Sequence, residues 1–122
     1  MARTILIVED DRALAGTLEI GLLALDDVDT VTVFDGREAM EFLETTTPVP
    51  AVVLTDLELP RVDGYQLITW MRTRPELLLV PVIAMSARHD AAGALKAGAN
   101  EFLAKPFALA AVRARVQELL HG

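Results

Sequence analysis

Cysteine is absent from this 122-residue chain. That excludes disulfide bonds, thiolate zinc sites and cysteine nucleophiles, and it suits a reducing cytoplasm. Positive charge is scarce. Lys and Arg together number 11 against 18 Asp and Glu, for a net charge of −7. Nonspecific binding to a nucleic-acid backbone needs clustered cations, so that function class is set aside. Long apolar runs are missing too. No stretch approaches the ~18 residues that span a bilayer, and the longest, Leu77 to Met85, is interrupted by Pro81. Ile5–Val8 is too short for the apolar heart of a secretory signal, and no small-residue cleavage site follows it. There is no internal repeat, low-complexity tract or linker, so residues 1–122 read as a single domain. An apolar content of 52% is enough to bury a core. The expectation is a soluble, cytoplasmic domain that touches neither membrane nor nucleic acid.

What is present alternates between strand and helix. Thr4–Val8 is a short apolar run bounded by polar residues, the mark of a buried parallel strand. Leu14, Leu18, Leu22 and Leu25 recur on one face of a helix. Val28–Phe34 reads as a second strand. Asp35 followed by Glu38 suggests a capping box before a helix carrying Ala39, Met40 and Leu43. Ala51–Leu54 reads as the third strand. A loop with Pro60 and Gly64 follows, then a helix from about Tyr65 to Arg74 stopped by Pro75. Val82–Met85, a short helix from Asp90 to Gly98, Phe102–Ala104, and a last helix marked by Leu109, Val112, Val116 and Leu119 complete the pattern. The fold class is α/β. Five βα units with short connections imply a doubly wound parallel sheet with helices on both faces.

In such sheets ligands sit beyond the carboxyl ends of the strands. The unusual polar residues all fall there: Glu9, Asp10 and Asp11 after strand one, Asp56 and Glu58 after strand three, Ser86 after strand four, Lys105 after strand five. Five carboxylates facing one lysine call for a divalent cation, and oxygen-only ligands favour Mg²⁺, with Mn²⁺ as the alternative, over zinc. A metal, an ammonium and a hydroxyl around one buried carboxylate suit phosphorylation of that carboxylate. The aspartate is the nucleophile, the cations neutralise the transferring phosphoryl group, and the hydroxyl donates to the product.

The chain resembles the receiver domains of two-component response regulators over essentially its whole length. Glu9-Asp10-Asp11 is similar to that family's acidic cluster. Asp56 with Pro60 and Asp63-Gly64 resembles its phosphoacceptor loop, and Ser86-Ala87 its switch hydroxyl and the small residue after it. Ala97-Gly98-Ala99 and Phe102-Leu103-Ala104-Lys105-Pro106-Phe107 resemble its last strand and phosphoryl-contacting lysine. The resemblance implies a flavodoxin-like fold with strand order 2-1-3-4-5. It implies Mg²⁺ held by Asp10, Asp56 and the backbone carbonyl of Glu58, with Glu9 acting through water, and a cis Lys105–Pro106 bond. It also implies a phosphoacceptor at Asp56 and a switch formed by Ser86 and Phe102. Glu58 and Arg88 each sit two residues past a site residue on neighbouring strands, so they are expected to flank the acyl phosphate, cover it and slow its hydrolysis, the alternative being that both side chains are solvated. Ser86 stands where Thr is more frequent, and Phe102 where Tyr is.

The implied function is phosphorylation-driven signalling. A sensor histidine kinase or histidine phosphotransfer protein donates to Asp56, docking on the first helix near Leu14 to Leu18. The surface of the fourth helix, fifth strand and fifth helix then carries the output to a downstream protein or effector domain. The domain catalyses its own phosphoryl transfer and hydrolysis without being a turnover enzyme. Lys96, Glu101, Arg113 and Arg115 are candidates for charged pairs across a homodimer on that output surface, with plain solvation as the commoner fate of exposed charges. Two other classes share parts of the pattern. A phosphatase of the haloacid dehalogenase type needs a second acid two residues past its Asp, which Glu58 imitates, but also a cap domain for which there is no room. A receiver that has lost phosphorylation, acting as an interaction module, would lack the acids or the lysine, and all are present.

Overall fold

In the computed structural model, residues 2–121 are described. The elements in chain order are β1 (Arg3–Val8), α1 (Arg12–Leu22), β2 (Val28–Val33), α2 (Gly36–Thr45), β3 (Val52–Asp56), α3 (Gly64–Met71), β4 (Val82–Ser86), α4 (Ala91–Ala97), β5 (Glu101–Ala104) and α5 (Leu109–His121). The strands form one sheet in the order β2-β1-β3-β4-β5, with every pairing parallel. This is the flavodoxin-like arrangement expected.

Alternation along the central strands creates two cores. Leu6, Val8, Val53, Val82 and Ala84 face α2, α3 and α4, where Ala39, Leu43, Leu67, Ile68, Met71 and Ala94 meet them. Ile5, Ile7, Val52, Leu54, Ile83 and Met85 face α1 and α5, against Leu18, Leu22, Val112 and Val116. Because β3 and β4 are buried along their whole length, their sequences are apolar on both sides until their carboxyl ends, Thr55-Asp56 and Ser86. The polar exceptions are therefore delivered together to one edge.

Three boundaries differ from expectation by more than one residue. β3 does not stop at Leu54; Thr55 pairs with Val8 and Asp56 with Met85, so the carboxylate sits on the strand itself. α1 ends at Leu22, and Leu25 lies in the turn that follows, where its amide reaches the Leu22 carbonyl. α3 ends at Met71, and the chain runs on to Pro75 in tight turns, with the Thr73 and Arg74 amides reaching the Trp70 and Met71 carbonyls while the Arg72 side chain ties down the segment that follows. Its guanidinium donates to the carbonyls of Leu77, Leu78, Val80 and Gly98 and to the Asn100 side chain, which coils residues 72–80 into tight turns. The box expected at Asp35 and Glu38 is offset. Asp35 accepts from the Glu38 amide, but the Glu38 carboxylate reaches back to the Phe34 amide at 2.7 Å. A complete capping box forms instead at Asp63 and Gln66. Asp90 and Gly98 bound α4 as read, Gly98 with φ of 121°, a left-handed conformation that suits glycine.

Candidate functional site

The three consecutive acids after β1 go to three different places. Glu9 turns inward and is fully buried, Asp10 stays exposed, and Asp11 caps α1, accepting from the amides of Ala13 and Leu14. Asp11 thus serves the helix and does not join the pocket. Glu9, Asp10 and Asp56 do converge, each offering an oxygen within 4.8 Å of the others. Carboxylates this close repel one another and, as an oxygen-only set, fit a hard divalent cation.

Lys105 is placed by β5. Its amide donates to the Ser86 carbonyl, which extends the strand by one residue and aims the side chain across the pocket. The ammonium then donates to Glu9 Oε1 at 2.8 Å and to Asp56 Oδ2 at 3.0 Å. Burial pushes the Glu9 carboxyl up to about 7, although the Lys105 hydrogen bond and the Asp11 amide pull the other way. Burial pulls the Lys105 ammonium down, but its bonds to Glu9 and Asp56 outweigh that and leave it above its ordinary value. One lysine therefore does not neutralise the acids it faces. The Lys105–Pro106 bond is cis, and so is Thr47–Pro48.

Asp56 is buried, and its other oxygen, Oδ1, accepts from the Glu58 amide at 3.1 Å. Glu58 is half-buried and does not point its carboxylate at the acidic pocket. Both of its oxygens accept from Ser86 Oγ, at 2.8 and 2.9 Å. So the count of five carboxylates around Lys105 is corrected to three, since Asp11 caps a helix and Glu58 holds a hydroxyl. Ser86 is itself fully buried and accepts from the Arg88 amide at 2.9 Å. Arg88 brings its backbone to the site; its side chain is exposed, and among the described residues it forms no ion pair with Glu58.

Phe102 is half-buried on β5, packed against the cluster that includes Ala94 and Ala99. Leu18 lies in the core and is not available to a partner, whereas Leu14 lines a shallow groove beside Lys105 with Asp11, Ala87, Pro106 and Phe107. On the output side, Glu101 and Arg115 pair within the chain at 2.6 Å. Three features of the site had no clear signal in the sequence. One is the Glu58–Ser86 bond. A second is Arg12, whose guanidinium lies 3.9 Å from the Phe34 ring centroid. The third is Tyr65, which donates to Asp90. Each joins residues from different elements, so only side-chain placement reveals it.

Comparison with known proteins agrees with this geometry. The family model for the response regulator receiver domain matches residues 5–117. The transcriptional regulatory protein QseB of Haemophilus influenzae is 42% identical over 120 residues, covering 95% of this chain and 52% of QseB. The chain spans about half the length of the curated relatives it matches. Among solved structures, the signal receiver domain of a histidine kinase from Syntrophus aciditrophicus is 35% identical with a TM-score of 0.89, covering 99% of this chain and 92% of that one. The receiver domain of sensor histidine kinase PA1611 from Pseudomonas aeruginosa, with a magnesium ion coordinated in its active-site cleft, is 30% identical with a TM-score of 0.89 over the full length of both. No described helix is long and apolar enough to cross a membrane. With the family pattern carried from β1 to α5 on a matching five-stranded sheet, the chain belongs to the response regulator receiver domains of two-component systems.

Proposed function

We propose that this domain is a phosphorylation-driven switch whose acceptor is Asp56. The observation that carries the reading is the Lys105 ammonium bonded to a buried Asp56 carboxylate, with Glu9 and Asp10 converging on the same point. An Asp56 oxygen attacks the phosphorus of a phosphohistidine on a sensor kinase or phosphotransfer protein. The new O–P bond forms as the P–N bond breaks, and the leaving imidazole keeps the electron pair and takes up a proton. Lys105 shifts from the Asp56 oxygen to an oxygen of the incoming group, and the Ser86 hydroxyl donates to another. Glu9, Asp10, Asp56 and the Glu58 backbone carbonyl would hold Mg²⁺ or Mn²⁺, Glu9 through water; when bound, the ion supplies neutralisation of the developing phosphoryl charge.

The donor docks on the groove formed by Leu14, Ala87, Pro106 and Phe107, an apolar surface opening beside Lys105. The new dianion draws Ser86 and Lys105 toward it, and their movement, with Phe102, biases the surface of α4, β5 and α5. This is a population shift whose size is set by how differently the two states hold the phosphoryl group. The output passes to a downstream protein or effector domain, and the setting is the cytoplasm. Acetyl phosphate with Mg²⁺ followed by intact mass tests the reading. A single added phosphoryl group is expected on the wild type and none on Asp56→Asn; labelling of the Asn variant would sink it.

A further inference from the structure

Ser86 has one hydroxyl proton, and Glu58 holds it. The bond is short to both carboxylate oxygens, the serine is fully buried, and among the described residues the only other polar contact of Oγ is the Arg88 amide donating to it. An anionic acceptor makes such a bond roughly twice as strong as a neutral one. In the resting state, then, an internal anion already occupies the hydroxyl that the phosphoryl group needs. The backbone of the same residue holds the acceptor, since the Glu58 amide donates to Asp56 Oδ1.

We infer that Glu58 is a resting-state latch on Ser86: its carboxylate competes with the phosphoryl group for the serine hydroxyl and so sets how readily the domain enters its phosphorylated conformation. The inference rests on Asp56 as phosphoacceptor and deepens that reading. Formation of the switched state exchanges one charge-assisted bond, Ser86 to Glu58, for another, Ser86 to phosphoryl oxygen. Little net energy comes from the hydroxyl unless the first bond is weak. Glu58 is a positioning residue here, acting on the phosphoryl group through Ser86.

Charge alone predicts a different set of outcomes, and length separates the two. Glu58→Gln removes the anion and keeps the reach. Glu58→Asp keeps the anion but is one methylene too short to hold Ser86 in its present geometry. The test titrates beryllofluoride, a non-hydrolysable stand-in for the phosphoryl group, into ¹⁵N-labelled protein with Mg²⁺, following the amide signals of Ala87 and Arg88. Both Glu58→Gln and Glu58→Asp should saturate at about fivefold lower beryllofluoride than the wild type, the difference between a charged and a neutral or absent acceptor. In a Ser86→Ala background, where no proton is left to contest, Glu58→Gln should bring no gain.

If only Glu58→Gln gains, and the gain persists without the serine, simple charge repulsion is at work and the latch is overturned. If the wild type saturates and neither variant gains, the latch is likewise overturned while the phosphoacceptor reading stands. If no protein binds beryllofluoride and Asp56→Asn behaves like the wild type, the phosphoacceptor reading fails and the latch falls with it.

Discussion

The hydroxyl of Tyr65, at the start of α3, donates to Asp90 Oδ2, at the start of α4, at 2.8 Å. Partial burial, and then the hydrogen bond to an anion, push this phenol up to about 12. Tyr65 is the single tyrosine of the chain, so tyrosinate absorbance reports it alone. The neutral phenol is the form the fold prefers. Its contribution to stability is complete below the ordinary tyrosine value of about 10 and is lost as pH rises through the folded value. An alkaline absorbance titration of the wild type should therefore have its midpoint near 12, and Asp90→Asn should move it down; an unshifted midpoint in the variant would remove Asp90 as a cause. The same scale shows how identical residue types divide in role. Of the neighbours Glu9, Asp10 and Asp11, one is buried beside Lys105, one is exposed at the pocket and one caps a helix. The tripeptide marks the site, but strand geometry distributes its side chains.

Among the elements, four helices begin alike: Asp11, Asp35, Asp63 and Asp90 accept from the first-turn amides of α1, α2, α3 and α4. Part of the acidic excess is thus helix initiation: four of the 18 acids are caps, and three others converge in the pocket. Glycines divide in the same way. A Cβ on Gly16, inside α1, would meet nothing within 4 Å, whereas one on Gly64 would lie 2.3 Å from the Asp56 carbonyl oxygen and 2.7 Å from Leu57 Cα. Gly64 lets the start of α3 press against the end of β3, where its amide reaches the Leu57 carbonyl at 3.0 Å. Gly16→Ala should raise the unfolding free energy by about 0.5–1 kcal/mol through helix propensity. Gly64→Ala should lower it by about 1–3 kcal/mol, because backbone must move. Urea denaturation of the two variants checks both signs, and slower labelling of Gly64→Ala by acetyl phosphate would show the strain reaching Asp56.

For the whole molecule, the consequence of three converging carboxylates is linkage between metal and folding. A cation that binds only the folded chain stabilises it in proportion to the logarithm of its excess over Kd. At tenfold excess, Mg²⁺ should add about 1.4 kcal/mol, a rise in Tm of roughly 4–6 °C for a domain of this size. Asp10→Ala should flatten that response. Asp10 is exposed and, among the described residues, makes no side-chain hydrogen bond, so the variant should keep the metal-free Tm near that of the wild type. A Mg²⁺ response undiminished in Asp10→Ala would argue against this cation site. The intrachain Glu101–Arg115 pair bears on assembly at the same scale: both charges are satisfied within one copy, so they contribute no unmet demand for a second.

Read on its own, the sequence was sufficient for the α/β class, the five βα units and the edge of the sheet where chemistry collects. Period-two and period-3.6 apolar spacing are local properties, and strands buried on both faces leave their polar residues only at the ends. The order of the strands and the expectation of Asp56 as acceptor came from resemblance, since several windings satisfy the same local pattern. Only the folded chain decided which acids meet. The register that pairs Asp56 with Met85 places Ser86 one residue beyond it, and the turn after β3 brings Glu58 back onto that serine. Hydrogen bonds between side chains from different loops depend on distances across the sheet, and no spacing along the chain records those. For the same reason α3 was expected to run to Arg74. It ends at Met71 in turns closed by the Thr73 and Arg74 amides, and the Arg72 guanidinium reaches carbonyls up to 26 residues away, a contact no spacing along the chain records.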